Sequence, residues 1–303
     1  MVGWGAPVDL ARLPEVFAVF GPTASGKSGV AEALADRLGT EVVSADALQV
    51  YRGLPILTNQ PERPTRLVAI RTLAEDMSVA TYAKLAHAAI DELVDTNGTV
   101  VLAGGTGLYL RAALVEMRVP PAPGDDARAR WEAAYDTDPA LAHVRLQSLD
   151  PAAARSVHVN DRRRVIRALE LAEVGSSLVP VHDRLWSVEM RRRTIVVGLA
   201  VSQETIETRI RERTEQMFAR GVVQEVRRAA EEHISRSARQ ALGLADLSEL
   251  PEDAAFERIV LKTRRYAAYQ RKWMRRIPGL VMIDAERPPN EVADAILEVA
   301  RSR

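Results

Sequence analysis

The most regular signal along the chain is a recurring pair: a short unbroken apolar run, then a segment whose apolar positions fall at helical spacing. Val16 to Phe20 is the first run; a Gly-rich turn follows, and Lys27 to Leu38 shows helical periodicity closed by Gly39. Glu41–Ala45 and Thr99–Ala103 repeat the short apolar run, each ahead of a loop and a helix-compatible segment. Strands buried on both faces read this way, so the pattern predicts a parallel sheet covered by helices. From Val119 to Met190 the texture changes: Pro120, Pro121 and Pro123 open a stretch dominated by Ala, Arg, Glu and Leu at helical spacing, which predicts a helical insertion. Strand character returns at Thr194–Val201, and Ser202 is placed to cap a long helix, Gln203–Arg220, that stops at Gly221. Further helices reach Arg276, followed by a short strand at Val281–Ile283 and a terminal helix from about Pro289.

These elements divide 303 residues into an α/β core over 1–118 and 192–303 and a helical insertion domain over 119–191. With 47% hydrophobic and 27% charged residues the chain has the mixture of a soluble globular protein and not of a disordered one. Cysteine is absent, which excludes disulfides, thiolate metal sites and thiol nucleophiles and points to the cytosol. Asp9, Arg12 and Glu15 stand where a secretory leader is apolar, and no apolar run approaches ~18 residues, so no membrane segment is expected. The five histidines, His87, His143, His158, His182 and His233, show no metal spacing. No G-x-S-x-G elbow exists for hydrolase chemistry of that type.

Net charge is zero, yet its distribution is uneven. Arg155 to Arg167 holds five arginines against Asp161 alone, and Arg258 to Arg276 holds eight basic residues and no acid. One such run reads as a solvated helix face. Two in a neutral protein favour a polyanionic partner.

Gly21-Pro22-Thr23-Ala24-Ser25-Gly26-Lys27-Ser28 fits the phosphate-binding pattern G-x-x-x-x-G-K-[ST] and lies between a strand and a helix, as that pattern requires. The glycines let backbone amides point inward, the helix N-terminus adds positive dipole, Lys27 reaches phosphate oxygens and the Ser28 hydroxyl can hold magnesium. Lysine is scarce here, four against 37 arginines, so a chance match is improbable. The expected core is therefore a P-loop NTPase-like parallel sheet. Asp46, in Ser44-Ala45-Asp46-Ala47-Leu48-Gln49-Val50-Tyr51-Arg52-Gly53, stands at the carboxyl edge of the sheet beside that loop, as a helix cap, a magnesium ligand or a general base. The third strand runs into Gly104-Gly105-Thr106-Gly107-Leu108-Tyr109, a second glycine-rich wall, and lacks the terminal Asp of an ATPase.

In order and spacing, GPTASGKS, SADALQVYRG and GGTGLY resemble the tRNA dimethylallyltransferase (isopentenyltransferase) family, and the resemblance covers nearly the whole chain. It continues through His158-Val159-Asn160-Asp161 with Arg163-Arg164-Val165-Ile166-Arg167-Ala168-Leu169-Glu170, through Arg209-Ile210 and Arg213 ahead of Met217 and Gly221, through Gln240-Ala241-Leu242-Gly243, and through Thr263-Arg264-Arg265-Tyr266-Ala267 with Trp273. The resemblance implies a magnesium-assisted transfer of a dimethylallyl group from dimethylallyl diphosphate to the exocyclic amine of the adenosine 3′ to the anticodon, in tRNAs reading codons that begin with U. Gly21 to Ser28 would hold the diphosphate, with Thr23 and Ser28 among its contacts and Ser28 as a metal ligand. Asp46 would be the base, Thr23, Arg209 and Arg213 would complete the catalytic set, and Asp46, Ala47, Leu48 and Gln49 would line the acceptor side. Thr106, Arg128, Arg163, Arg164 and Arg167 match positions that contact the tRNA anticodon stem-loop. A cytosolic monomer is the expected state.

Departures from the family pattern bear on tRNA affinity and choice. Ala47 stands where many members have Ser, D-I-G-T-A-K-P reads Pro55-Ile56-Leu57-Thr58-Asn59-Gln60-Pro61, and H-H-L-[IL]-D reads Thr65-Arg66-Leu67-Val68-Ala69. Leu244 and Ala268-Tyr269 depart further on. By spacing alone, Tyr266, Tyr269 and Trp273 read as a core-facing helix stripe and only by analogy as a base-stacking platform. Arg209 and Arg213 lie at i, i+4, where nearby glutamates could pair with them on the surface. A small-molecule kinase with Asp46 acting on a hydroxyl, and a nucleotide-dependent switch, remain open from the residues alone.

Overall fold

The computed structural model describes residues 13–116, 125–179, 185 and 187–302. Five parallel strands, β1 (Val16–Phe20), β2 (Val42–Ser44), β3 (Val100–Gly104), β4 (Thr194–Ala200) and β5 (Val281–Asp284), lie in the order β2-β3-β1-β4-β5. All five residues of β1 are buried, which is why this strand shows no polar alternation in the sequence: it is central, with helices on both faces.

Helix α1 (Lys27–Leu38) carries the chain past β3 to the edge strand β2, and α2 (Val79–Asn97) brings it back to β3. Right-handed crossovers taken in opposite directions put α1 and α2 on opposite faces of the sheet. On the α1 face, Val30 and Leu34 pack with Val292 and Ile296 of the terminal helix α12 (Pro289–Arg301). On the other, α2 packs against α3 (Gly107–Leu114), where the rings of Tyr82 and Tyr109 stack with centroids 4.3 Å apart. The loops after β1 and β3 thus part in opposite directions from adjacent strands. That divergence opens a crevice at the carboxyl edge of the sheet, the place where open α/β sheets take ligands.

Residues 117–184 form a compact unit of their own. Its helices α4 (Asp125–Thr137), α5 (Pro139–Leu149), α6 (Pro151–Ser156) and α7 (Arg162–Glu173) enclose Tyr135, Leu146, Ala153, Val165, Ile166 and Leu169. Asp138 and Asp150, each followed by Pro at the first helical position, cap α5 and α6 by accepting from Leu141 N and Ala153 N. Asp161 does the same for α7 from Arg164 N, so the lone acid in the first basic run serves as a cap.

After β4 the core continues through α8 (Gln203–Ala219), capped by Ser202 as the sequence predicts, then α9 (Val222–Ala229), α10 (Leu244–Glu249) and the long α11 (Glu252–Met274). The second strand is shorter than its apolar run, because beyond Ser44 the chain turns into the Asp46 loop. Among the described residues no helix is long and apolar enough to cross a membrane.

Candidate functional site

The loop Gly21–Ser28 joins β1 to α1 with two residues in the left-handed region, Ala24 at φ 64° and Gly26 at φ 84°. Ala24 is there despite its Cβ, an uncommon conformation that the surrounding turn must hold. Gly21 cannot be replaced without displacement, because a Cβ would lie 2.7 Å from Ser25 Oγ. Gly26 is the N-cap of α1 and supplies no side chain to its first-turn amides. An uncapped helix start facing a crevice is an anion site by construction.

A cavity of about 550 Å³ opens over this loop. Lys27 reaches across the loop, where its Nζ donates to Pro22 O at 2.8 Å. Burial pushes Lys27 down to about 8; the Asp46 carboxylate opposes that shift and the Arg213 guanidinium adds to it. From α8, Arg209 and Arg213 both line the cavity, and among the described residues neither has a carboxylate within ion-pair distance. Arg213 Nε is buried with no hydrogen-bond partner, and burial lowers the pKa of its guanidinium while Asp46 raises it. Neither arginine forms a surface ion pair among the described residues: Arg213 is held inward near Asp46, and Arg209, half-buried on the cavity wall, lies within Coulombic reach of Glu286.

Asp46 lies half-buried on the cavity wall, and its Oδ1 accepts from Leu48 N at 2.9 Å and Gln49 N at 3.3 Å. This turn fixes the carboxylate and leaves Oδ2 without a hydrogen-bond partner among the described residues. The neighbouring Ala47 N donates to Thr106 Oγ1 at 3.5 Å, and that hydroxyl lies 3.3 Å from Tyr266 OH. Thr106 thus ties the Asp46 turn to α11. Leu48 and Gln49 line the cavity; the Gln49 amide also accepts from Ser44 Oγ and donates to Asn59 O at 2.9 Å, which holds the opposite loop.

The residue that joins the two glycine-rich walls is Gln270, to which the sequence pattern assigns no role. It is buried, accepts from Thr23 N at 2.7 Å and donates to Gly105 O at 2.9 Å. A Cβ on Gly105 would lie 2.2 Å from Gln270 Nε2, so the glycine exists for this approach. The aromatic stripe on α11 requires correction as well. The buried face of the helix carries Ile259, Thr263, Ala267, Gln270 and Met274, whereas Tyr269 is 54% exposed. Tyr266 lines the cavity with its phenol pushed up to about 12 by burial and, secondarily, by Asp46, and Trp273 covers Gly107, where a Cβ would meet the indole at 2.4 Å.

Magnesium suits this donor set. It keeps water and phosphate oxygens and needs only one or two protein ligands, and the exposed Ser28 hydroxyl lines the cavity at the first turn of α1. Among the described residues no cluster of three acidic or histidine side chains offers a closed protein cage.

Comparison with known proteins identifies the lineage. The family described as IPP transferase matches residues 49–277. The chain belongs to that family. The tRNA dimethylallyltransferase of Anaeromyxobacter dehalogenans is 39% identical over 91% of this chain and 96% of its own, and that of Salinispora tropica is 37% identical over 89% and 88%. The crystal structure of the full-length tRNA isopentenylpyrophosphate transferase from Bacillus halodurans superposes with a TM-score of 0.67 at 28% identity, over 95% of this chain and 96% of that one.

In this IPP transferase the remaining predicted residues lie in the unit of residues 117–184. Arg163 and Arg164 are exposed at the start of α7. Arg128 Nη1 and Arg167 Nη1 instead converge on the two oxygens of Glu170, at 3.0 and 3.2 Å, and that carboxylate is fully buried. Arg128 and Arg167 are thereby held in fixed positions, each still about a quarter exposed. Sequence reasoning missed the partner because Glu170 looks like any acid on a basic helix.

Proposed function

We propose that this chain transfers a dimethylallyl group from dimethylallyl diphosphate to the exocyclic amine of the adenosine 3′ to the anticodon of tRNAs reading codons that begin with U, and releases diphosphate. The observation that carries this reading is the polarity gradient of the cavity. Arg209, Arg213 and Met217 lie at i, i+4 and i+8 on one face of α8, and Gln270, Tyr266, Thr263 and Ile259 follow one another along α11 away from the phosphate loop. Both helices thus pass from charged or polar to apolar, as an anion with a hydrocarbon tail requires. Leu57 and Leu242 line the far end, beside Thr58 and Asn59.

Lys27, Arg209, Arg213 and the loop amides meet the negative charge that gathers on the diphosphate as the carbon–oxygen bond breaks. Magnesium held at Ser28 would supply further charge neutralisation there. The adenine amine is a weak nucleophile, but its proton becomes acidic as the new carbon–nitrogen bond forms, and Asp46, whose Oδ1 alone is taken up by the turn, would accept it through Oδ2. Burial of the acceptor base at the sheet edge requires an unpaired nucleotide turned out of its stack. The exposed Arg163 and Arg164 offer phosphate contacts to the stem-loop. The absence of cysteine is in keeping with the cytosol as its compartment.

The test is incubation with tRNA, dimethylallyl diphosphate and magnesium, followed by mass spectrometry of the nucleosides. Dimethylallyl adenosine and diphosphate should appear in equal amounts. Acceptor-dependent release of ADP from ATP, without prenylated nucleoside, would replace this reading with a kinase.

A further inference from the structure

Tyr266 lines the cavity from α11, and the bonds around its hydroxyl decide where its proton points. Thr106 Oγ1 accepts from Ala47 N at 3.5 Å and lies 3.3 Å from the phenol oxygen, so one short side chain sets the spacing between the Asp46 turn and Tyr266. Gln270 is fixed end for end by its backbone partners. Its Oε1 accepts from Thr23 N, so its nitrogen carries both amide protons and gives one to Gly105 O. Burial, and then Asp46, push the Tyr266 phenol up to about 12, against hydrogen bonds from Thr106 and Gln270 that favour its ionised form. Donors to the phenol oxygen have that effect, and the hydroxyl still keeps its proton at neutral pH. An oxygen that receives from two neighbours has its own O–H left over. Here that donor is left for the cavity.

We infer that the Tyr266 hydroxyl donates to the N1 atom of the acceptor adenine while Asp46 faces the adjoining amine. This rests on the proposed reading of the cavity as a site that prenylates adenosine. Asp46 offers an acceptor, since Oδ1 alone is occupied by the turn, and Tyr266 offers a donor. Both line the cavity and lie within Coulombic reach of each other. Together they match the Watson–Crick edge of adenine, an N–H beside a bare ring nitrogen, and extruded bases are read along that edge. Guanine presents the reverse, an oxygen beside N1–H, and would set acceptor against acceptor and donor against donor. A hydrogen bond at N1 draws electron density from the ring, so the amine proton becomes more acidic towards Asp46 as the carbon–nitrogen bond forms. The phenol keeps its own proton throughout.

The experiment uses synthetic anticodon stem-loops with adenosine, 1-deazaadenosine or 7-deazaadenosine at the target position, in single turnovers with saturating dimethylallyl diphosphate and magnesium. Each deaza base replaces one ring nitrogen by C–H and keeps the amine. The readout is the ratio of the adenosine rate to the 1-deazaadenosine rate, compared between the native enzyme and Tyr266→Phe. Differences in the intrinsic reactivity of the two amines are common to both enzymes and cancel. The ratio should fall at least about tenfold in Tyr266→Phe, because the variant has no buried donor for the deaza base to leave unpaired. The corresponding ratio for 7-deazaadenosine should not move. Should the phenylalanine variant fail to fold, Tyr266→Leu also lacks the hydroxyl and should lower the ratio likewise. Equal ratios in the native enzyme and the variant would overturn the contact and leave Tyr266 a packing residue. A fall confined to the 7-deazaadenosine ratio would place the hydroxyl at N7 and overturn the N1 assignment. A native enzyme that prenylates no stem-loop, adenosine included, would overturn the proposed activity and this contact with it.

Discussion

Gln270 accepts the backbone N–H of Thr23 at 2.7 Å across 247 residues of sequence, so the phosphate loop is held by a side chain from the far end of the chain. The same amide donates to Gly105, which makes one buried group the spacer between the two walls of the crevice. Gln270→Ala leaves Thr23 N and Gly105 O unpaired, and each orphaned buried group costs about 1–3 kcal/mol. Much of that cost should appear as loosening of the loop. Donor affinity should fall at least about tenfold with tRNA affinity nearly unchanged, and calorimetric titration with dimethylallyl diphosphate measures both the affinity and its recovery in Gln270→Glu, which keeps only the acceptor.

Lys27 gives donor binding a pH dependence of definite sign. Its pKa is pushed down to about 8 in the free protein by burial, so the ammonium is present below that pH and lost above it. A bound diphosphate favours the charged form, so affinity should weaken as pH rises from about 8, by up to about tenfold per unit. Lys27→Met should bind poorly at every pH and show no such slope. Titrations across this range check it, and a native slope matched by the variant would assign the effect elsewhere.

Asp46→Asn keeps the turn acceptor at Oδ1 but cannot take a proton. Transfer should fall by about 10²–10⁴-fold in single turnovers, with donor and tRNA affinities within a few-fold of native. Recovery of the rate at high magnesium, with weakened donor binding at low magnesium, would instead make Asp46 a metal ligand.

Arginines of the helical unit should separate into two kinds. Arg164→Ala should lower the salt slope of tRNA binding by about one unit and leave thermal stability unchanged, because the side chain is exposed and its partner would be a phosphate. Arg128→Ala should also lower stability, since it strips one of two cations from the fully buried Glu170. The loss should stay below the ~3–5 kcal/mol typical of a broken buried pair, because Arg167 remains and Arg128 is partly solvated. Filter binding across a salt series and a thermal melt distinguish the two.

The parallel sheet, the strand-loop-helix of Gly21–Ser28, the Ser202 cap and the place of Asp46 at the carboxyl edge were all legible in the sequence, because each depends on residues close together in the chain: apolar runs, helical spacing, a glycine pattern with its lysine. What the tertiary structure alone decided lies at long separation. Whether Arg209 and Arg213 face solvent or a cavity depends on which side of α8 packs against α11, and local spacing is the same in both cases. Tyr266, Tyr269 and Trp273 look like a core stripe at i, i+3, i+7, yet the face that buries is set one position away by Thr263, Ala267, Gln270 and Met274. A polar residue goes to the interior here because it meets two backbone groups that need it, a pairing that composition and periodicity cannot register. Glu225 and Glu170 are hidden for the same reason: a buried carboxylate differs from a surface one only in its partners, and those partners, Ile56, Leu57, Arg128 and Arg167, are supplied by the fold.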